Sequence, residues 1–185
     1  CLPDIFSSVV SNGDEAALQA TRHLIDTGSK RIAFIGGPTH LDMVKRRKHG
    51  YLEALRERNI TIDRSIVING NIDYESARNE TLKLLKREDR PDAILAFNDI
   101  ITYAAFDAIK TLGLHIPKDV AIIGFTEAES SAFVTPKLSA IMDQAHLTGE
   151  KACDLLLRNI RGDKKIYKEI VPMILKIRES SNKQE

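Results

Sequence analysis

Short, almost continuously apolar segments alternate along this chain with longer segments in which apolar residues recur every three or four positions. Residues 93–97 and 120–125 are of the first kind, and residues 99–112 between them show the second pattern. Buried strands joined by a helix are typical of a parallel sheet that is covered on both faces. The pattern therefore predicts an α/β fold with a doubly wound parallel sheet.

The same alternation continues over most of the chain and predicts the order of the strands. Right-handed crossovers should place residues 31–35 between residues 65–69 and residues 93–97, in a sheet of five parallel strands. The other predicted elements are strands at 5–10, 138–142 and on both sides of Pro172 within 166–177, and helices between 12 and 28 and at 41–58, 74–86 and 147–160.

Composition excludes some classes of protein and favours others. With 27 Lys and Arg against 26 Asp and Glu, the net charge of +1 gives no sign of a general nucleic-acid-binding surface. The chain contains no run of about 18 apolar residues, so the sequence predicts no membrane-spanning helix. Cys1 and Cys153 lack metal-ligand spacing and suggest no disulfide framework, which favours a cytoplasmic protein. Because the chain starts inside apparently structured sequence without Met or a leader, we expect a fragment.

Polar residues follow two of the predicted strands, at the edge where α/β proteins bind ligands. Asn98 and Asp99 come directly after one strand, and Thr126 and Glu127 directly after the next. Ligands of doubly wound sheets lie beyond the carboxyl ends of the strands. Asn and Asp are also preferred helix caps, so capping is the alternative interpretation for Asn98 and Asp99. One of them can cap the helix while the other faces a ligand.

A basic run, residues 45–49, lies near the start of the second predicted helix. We interpret most of this run as a solvated helix face. Arg47 differs because it precedes the inward-facing Gly50 by one helical turn, and from there its guanidinium can reach the strand ends and donate to a polar ligand. We therefore expect Arg47, Asn98 and Thr126 to converge on one cleft.

Signals for catalysis are weak. Residues 36–38 (Gly-Gly-Pro) follow a strand but lack the context of a phosphate-binding loop, so a tight turn is the better interpretation. His23 and His146 lie on amphipathic helices as surface or half-buried positions. His40 and Asp42 lie in a loop and could polarise a substrate. Without a nucleophile elbow or paired acids at strand ends, we expect no enzyme, metal or cofactor.

Several motifs occur in one order along nearly the whole chain, and together they resemble the effector-binding domain of the lactose-repressor (LacI/GalR) family of bacterial transcription regulators. The motifs are residues 31–38 (Arg-Ile-Ala-Phe-Ile-Gly-Gly-Pro), Arg47 with Gly50, Tyr51, Ala54 and Leu55, residues 91–99 (Pro-Asp-Ala-Ile-Leu-Ala-Phe-Asn-Asp), residues 113–114, 116–125, 136–138 and 175–181.

The resemblance implies a periplasmic-binding-protein-like architecture with two α/β lobes that close on a small effector. By this resemblance, residues 12–142 plus 173–181 supply the lobe farther from DNA almost whole. Residues 1–11 plus 143–172 supply pieces of the nearer lobe. The helix-turn-helix of the family is absent from this chain, so operator DNA would be contacted by another part of the protein. Family members dimerise, so the resemblance also implies a homodimer.

The resemblance implies effector contacts at six positions, namely Arg47, Asn98, Ser11, Ile72, Thr126 and Asp143. The first two match the family motif. At the other four the family often has, in the same order, an Asp, an aromatic ring, an Asp and a Gln. Fewer carboxylates leave fewer acceptors for sugar hydroxyls, which argues for a sugar-like polar molecule other than a typical hexose.

Two functions from different classes are compatible with this fold. The first is the effector-sensing domain of a cytoplasmic LacI-type regulator, in which effector binding changes operator affinity. The alternative is a periplasmic sugar-binding protein of a transporter. Residues 116–125 and 178–181 favour the regulator, and a sequenced helix-turn-helix or secretion signal upstream would separate the two. An enzyme is a distant third possibility.

The predicted helix at 147–160 carries a row of apolar residues for which we expect no complete cover within this chain. Its inner positions are Leu147, Cys153, Leu156, Leu157 and Ile160. By the resemblance, the sheet that would cover them belongs to the nearer lobe. We expect a neighbouring chain, poor order of the helix, or residues of a longer protein to account for this face, and a partner chain is the simplest of the three.

Overall fold

The computed structural model of the chain describes residues 5–71, 73–126 and 128–183. Strands and helices alternate, as predicted. The strands are β1 (Ser8–Ser11), β2 (Ile32–Gly36), β3 (Val67–Asn69), β4 (Ala93–Ala96), β5 (Ala121–Phe125), β6 (Ser139–Met142), β7 (Lys168–Val171) and β8 (Ile174–Lys176). The helices are α1 (Gly13–Asp26), α2 (Asp42–Glu57), α3 (Tyr74–Leu85), α4 (Asp99–Thr111), α5 (Ala128–Ala132) and α6 (Ala145–Ile160).

The larger sheet has six strands in the order β3-β2-β4-β5-β6-β8. Its first five strands are parallel, with Phe34 opposite Val67 on one side and Leu95 on the other. This confirms the predicted position of β2 between β3 and β4. The sixth strand, β8, runs antiparallel to β6, with Leu175 opposite Ile141. Sequence analysis predicted an extended segment there but not its direction.

A second, two-stranded sheet pairs the beginning of the chain with a segment near its end. In it β1 and β7 are parallel, and Ser11 lies opposite Val171. Helix α6 packs against both strands. The chain passes from this sheet to the larger one at Pro172, between β7 and β8. The pyrrolidine ring of proline leaves no backbone N–H to continue a strand ladder, which fits the change of sheet at this point.

The core lies on the larger sheet, where every residue of β2, β4 and β5 is buried. Helix α1 packs on α2 and α3 packs on α4. The first pair approaches closely because Gly50 has no side chain, and a Cβ there would lie 1.9 Å from the backbone oxygen of Asp14. On α3, Leu84 is buried and Leu82 is half-buried.

Helix α6 differs from the prediction in which of its residues are covered. Cys153, which helical spacing placed among the inner positions, is exposed, and Leu155 is the buried residue of the helix. Since α6 rests on β1 and β7, a narrow stripe of its surface is covered. Leu156 and Ile160 are 61% and 72% exposed, so the expectation that this chain leaves an apolar face of the helix uncovered is met. No helix within the described ranges is long and apolar enough to span a bilayer.

Candidate functional site

A cleft of about 970 Å³ opens beyond the carboxyl ends of β4, β5 and β6. Its volume lies within the usual range for small-molecule sites. The start of α2, the three strand ends, the first turns of α6 and the beginning of β8 all contribute to it. Its lining consists of Met43, Arg47, Phe97, Asn98, Asp99, Phe125, Thr126, Glu129, residues 142–147, Glu150 and Ile174.

Arg47 lies against the wall of this cleft and is only 6% exposed. Its Nη1 donates a hydrogen bond of 2.5 Å to the carbonyl oxygen of Phe97. Its Cζ lies 3.9 Å from the ring centroid of Phe125 and 5.0 Å from that of Phe97, so the cation contacts both aromatic rings. Burial lowers the pKa of Arg47 to about 10, against the opposing effect of the carboxylates of Asp143 and Asp99. At neutral pH the guanidinium therefore stays charged.

The packing of α2 explains why Arg47 alone among the basic run is buried. Gly50, one turn later, brings α2 against α1. A Cβ on Gly13 would lie 3.5 Å from the Arg47 Cγ, so α1 also borders the side chain. The other members of the run, at 45, 46, 48 and 49, are half-buried or exposed, as predicted for a solvated face. Within the described residues, Arg47 Nε has no hydrogen-bond partner.

Asn98 combines the two interpretations that the sequence left open. Its Oδ1 accepts a hydrogen bond of 3.0 Å from the backbone N–H of Ile101 and so caps α4. The residue is half-buried and also lines the cleft beside the exposed Asp99. Oδ1 is engaged in the cap, whereas the amide nitrogen can donate to a ligand.

Thr126 follows β5 and is 5% exposed. Its backbone N–H donates to the carbonyl oxygen of Ile141 at 3.1 Å, which fixes the residue at the strand ends. Its hydroxyl is buried and finds no hydrogen-bond partner among the described residues. An unsatisfied buried hydroxyl costs roughly 1–3 kcal/mol, so a ligand that satisfied it would gain from that contact.

The structure therefore brings Arg47, Asn98 and Thr126 to one cleft, as predicted, together with the exposed Asp143. Ser11, at the end of β1, does not line this cleft. Ile72 and Glu127, two further candidates from the sequence, lie outside the described residues. That any of these residues binds an effector remains a prediction.

Two carboxylates of the cleft, Glu129 and Glu150, were not predicted from the sequence. Glu150 follows His146 by four residues on α6, so helical spacing from the end of β6 could have indicated it. His146 lines the cleft and is exposed, whereas His40 is exposed outside it. Among the residues that the structure describes, no cluster of three or more His, Cys, Asp or Glu side chains could hold a metal ion.

Comparison with known proteins gives consistent matches. Residues 21–181 match the family model of a periplasmic binding protein-like domain. The chain is 35% identical over 153 residues to the HTH-type transcriptional repressor PurR of Aliivibrio salmonicida (strain LFI1238). The aligned segment covers 83% of this chain and 46% of the relative. The chain thus spans about half the length of the curated relatives it matches.

Solved structures of regulators are similar along almost the whole chain. A regulatory protein of the LacI family from Chloroflexus aggregans superimposes with a TM-score of 0.90 at 32% identity, covering 95% of this chain and 63% of that one. A complex of the transcriptional regulator CelR with cellobiose gives a TM-score of 0.88 at 29% identity, with coverages of 96% and 54%.

Proposed function

We propose that the cleft of this chain binds a small, polar, sugar-like effector, because the chain belongs to the periplasmic-binding-protein-like domains of the LacI/GalR family of transcription regulators. The observation that carries this proposal is the pair of buried polar groups on the cleft wall. Arg47 Nε and the Thr126 hydroxyl have no partner within the described residues. Acceptor atoms of a polar ligand would satisfy groups that the described residues leave unpaired.

Binding of this effector would regulate transcription through the relative position of two lobes. In this proposal residues 12–142 plus 173–181 form one lobe, and residues 1–11 plus 143–172 belong to the other. The cleft residues fall into both groups, since Arg47 and Thr126 belong to the first and Asp143 and Glu150 to the second. A ligand that contacts both groups favours a closed arrangement over an open one.

The partners of the whole protein follow from the same proposal. Operator DNA would be bound by a part of the protein outside this chain, and the protein would act as a cytoplasmic homodimer. The curated relatives are transcriptional repressors, which favours a regulator over a transporter's binding protein and over an enzyme. The cellobiose complex of CelR supports a sugar-like effector for this chain.

The proposal is tested by calorimetric titration of the chain with neutral mono- and disaccharides that include ribose and cellobiose. At least one sugar should bind saturably and raise the melting temperature, and the variant Arg47→Met should lose that binding. Arg56→Met is the matched control, since Arg56 lies on the same helix in an exposed ion pair with Glu53 and away from the cleft. Equal binding by wild type and Arg47→Met would show that the site lies elsewhere.

A further inference from the structure

We propose that the cleft selects an effector with a positively charged group, such as an amino sugar, and discriminates against anionic molecules such as sugar phosphates. This inference rests on the proposed function, because it assigns a charge to the ligand of that site. It follows from two features of the cleft that have separate origins, namely the charge of its rim and the unpaired polar groups on its wall.

The rim of the cleft is strongly acidic. Among the described residues, four carboxylates line it, from Asp99, Glu129, Asp143 and Glu150, against one permanent cation, that of Arg47. With His146 neutral, the titratable side chains of the lining have a formal charge of −3. The chain as a whole has a net charge of +1, so this concentration of negative charge is local to the cleft.

Three of these carboxylates differ, within the part of the chain that the structure describes, from carboxylates elsewhere in the molecule that form direct ion pairs. Within the described ranges, Glu129, Asp143 and Glu150 take part in no salt bridge, although Asp143 acts on Arg47 at longer range. Outside the cleft, by contrast, carboxylates and arginines pair closely, as in Glu57 with Arg22 at 2.7 Å, Asp26 with Arg58 at 2.6 Å and Asp107 with Arg78 at 2.5 Å.

Arg47 compensates the charge of the rim only at longer range, because its guanidinium is held inside the wall. One of its nitrogens donates to the carbonyl oxygen of Phe97, and its plane contacts the ring of Phe125. Its Nε and the hydroxyl of Thr126 are buried without a partner within the described part of the chain. Both residues are more than nine-tenths buried and line the cleft, so its wall holds polar groups that the described residues leave unsatisfied.

A matching ligand therefore has two different ends. Hydroxyl or carbonyl oxygens would meet Arg47 and Thr126 on the deep side, and an ammonium group would meet the carboxylates at the rim. In water one carboxylate about 6 Å from a charged group changes affinity by about threefold. With a formal charge of −3 and screening by salt, we expect about tenfold in favour of a cation and a similar loss for an anion.

The test compares three ligands that share one ring and differ in charge. The 185-residue chain is titrated calorimetrically with glucosamine, glucose and glucose 6-phosphate, and with the corresponding galactose compounds, below the pKa of the sugar amine. The amino sugar should bind about tenfold more tightly than the neutral sugar, and the phosphate more weakly than the neutral sugar. The preference should shrink as salt is raised, because exposed charges are screened.

Variants separate the carboxylates of the cleft from general surface charge. The double variant Glu129→Gln/Glu150→Gln should reduce the ratio of amino-sugar to neutral-sugar affinity several-fold. Glu53→Gln, at an exposed carboxylate of α2 paired with Arg56, removes a charge outside the cleft and should leave the ratio unchanged.

The outcomes of this comparison distinguish failure of the charge selection from failure of the proposed function. If the neutral sugar binds as well as the amino sugar, or the phosphate binds best, the charge selection is wrong and the proposed function stands. If none of the neutral sugars, amino sugars or sugar phosphates binds, the sugar-like effector is rejected together with its charge. Binding of the amino sugars alone supports both.

Discussion

The guanidinium carbon of Arg47 lies 3.9 Å from the ring centroid of Phe125, at the point where β5 ends and the cleft begins. This contact joins α2 directly to the edge of the sheet at which ligands of α/β folds bind. The hydrogen bond from Arg47 to the carbonyl oxygen of Phe97 fixes the same side chain to the end of β4. One buried cation thus holds together the part of the structure on which the proposed effector site is built.

Arg47→Lys should weaken effector binding even though it conserves the charge. A lysine has a compact ammonium group that cannot donate to Phe97 and also spread over two rings as the planar guanidinium does. Loss of one hydrogen bond from the charged side chain to the ligand costs roughly 1.5–3 kcal/mol of binding free energy. We therefore expect the affinity for a panel sugar to fall by at least about tenfold. Calorimetric titration measures this effect, and thermal melting should show a smaller change in stability. A lysine variant with wild-type affinity would contradict the assigned role.

Gly50→Ala should prevent the close packing of α1 on α2. The added methyl carbon would lie 1.9 Å from the backbone oxygen of Asp14, and backbone cannot move aside as a flexible side chain can. We expect a loss of about 3 kcal/mol or more in the free energy of unfolding, or no folded protein.

The matched control is Gly149→Ala on α6, where a Cβ meets nothing within 4 Å. Alanine is the better helix former, so this variant should gain about 0.5–1 kcal/mol. Urea unfolding of both variants measures the difference. Similar unfolding midpoints for the two would show that the contact between α1 and α2 is looser than the structure gives.

Much of this fold could be predicted from the sequence, because its decisive signals are local. The apolar runs that became β2, β4 and β5 are continuous and short, which is typical of strands covered on both faces. Arg47 was identified because a glycine one turn later marks the inner face of α2, and Asn98 because strand ends and helix caps have recognisable residue types.

The features that the sequence did not predict depend on packing between distant segments. Periodicity shows that α6 has an apolar side, but which stripe is covered depends on the two strands that it meets, so Leu155 is buried and Cys153 is not. Likewise, Glu129 and Glu150 enter the cleft only because α5 and α6 both start at its edge. No local pattern states that these two helices are neighbours of one site.

His23 should make the stability of the protein decrease at acid pH. Its Nε2 lies 3.0 Å from Ser181 Oγ and 3.2 Å from the carbonyl oxygen of Ser181, which ties α1 to the end of the chain. Burial lowers the pKa of His23, and the carbonyl of Ser181 and the carboxylate of Asp26 oppose this only in part. The unfolded state therefore takes up a proton at about pH 6.5, before the folded state does.

The contribution of His23 is thus fully present above about pH 6.5 and is lost as the pH falls through the folded-state pKa. The variant His23→Gln should show a smaller difference in unfolding free energy between about pH 8 and about pH 5.5 than the wild type. His40→Gln, at an exposed loop position, is the control and should follow the wild type. If the His23 variant also follows the wild type, protonation of His23 does not contribute.

Substitution of the two neighbouring leucines of α6 should change stability by very different amounts, because Leu155 is 5% exposed and Leu156 is 61% exposed. Leu155→Ala removes a side chain packed against β1 and β7, and we expect a cost of about 2–4 kcal/mol. Leu156→Ala should change the free energy of unfolding by no more than about 0.5 kcal/mol. Chemical denaturation of the two variants checks this contrast within one helical turn.

The exposed side of the same helix should instead govern association between copies of the chain. Leu156 borders a groove that Ile5, Phe6 and Ile166 also line, and Ile160 is exposed nearby on the helix. Apolar surface of this kind is typical of protein interfaces, and a dimer is what the resemblance to the family implies. The double variant Leu156→Lys/Ile160→Lys should sediment as a monomer at concentrations at which the wild type associates, with its melting temperature little changed. A wild-type chain that remains monomeric over the whole concentration range would show that this face does not mediate self-association.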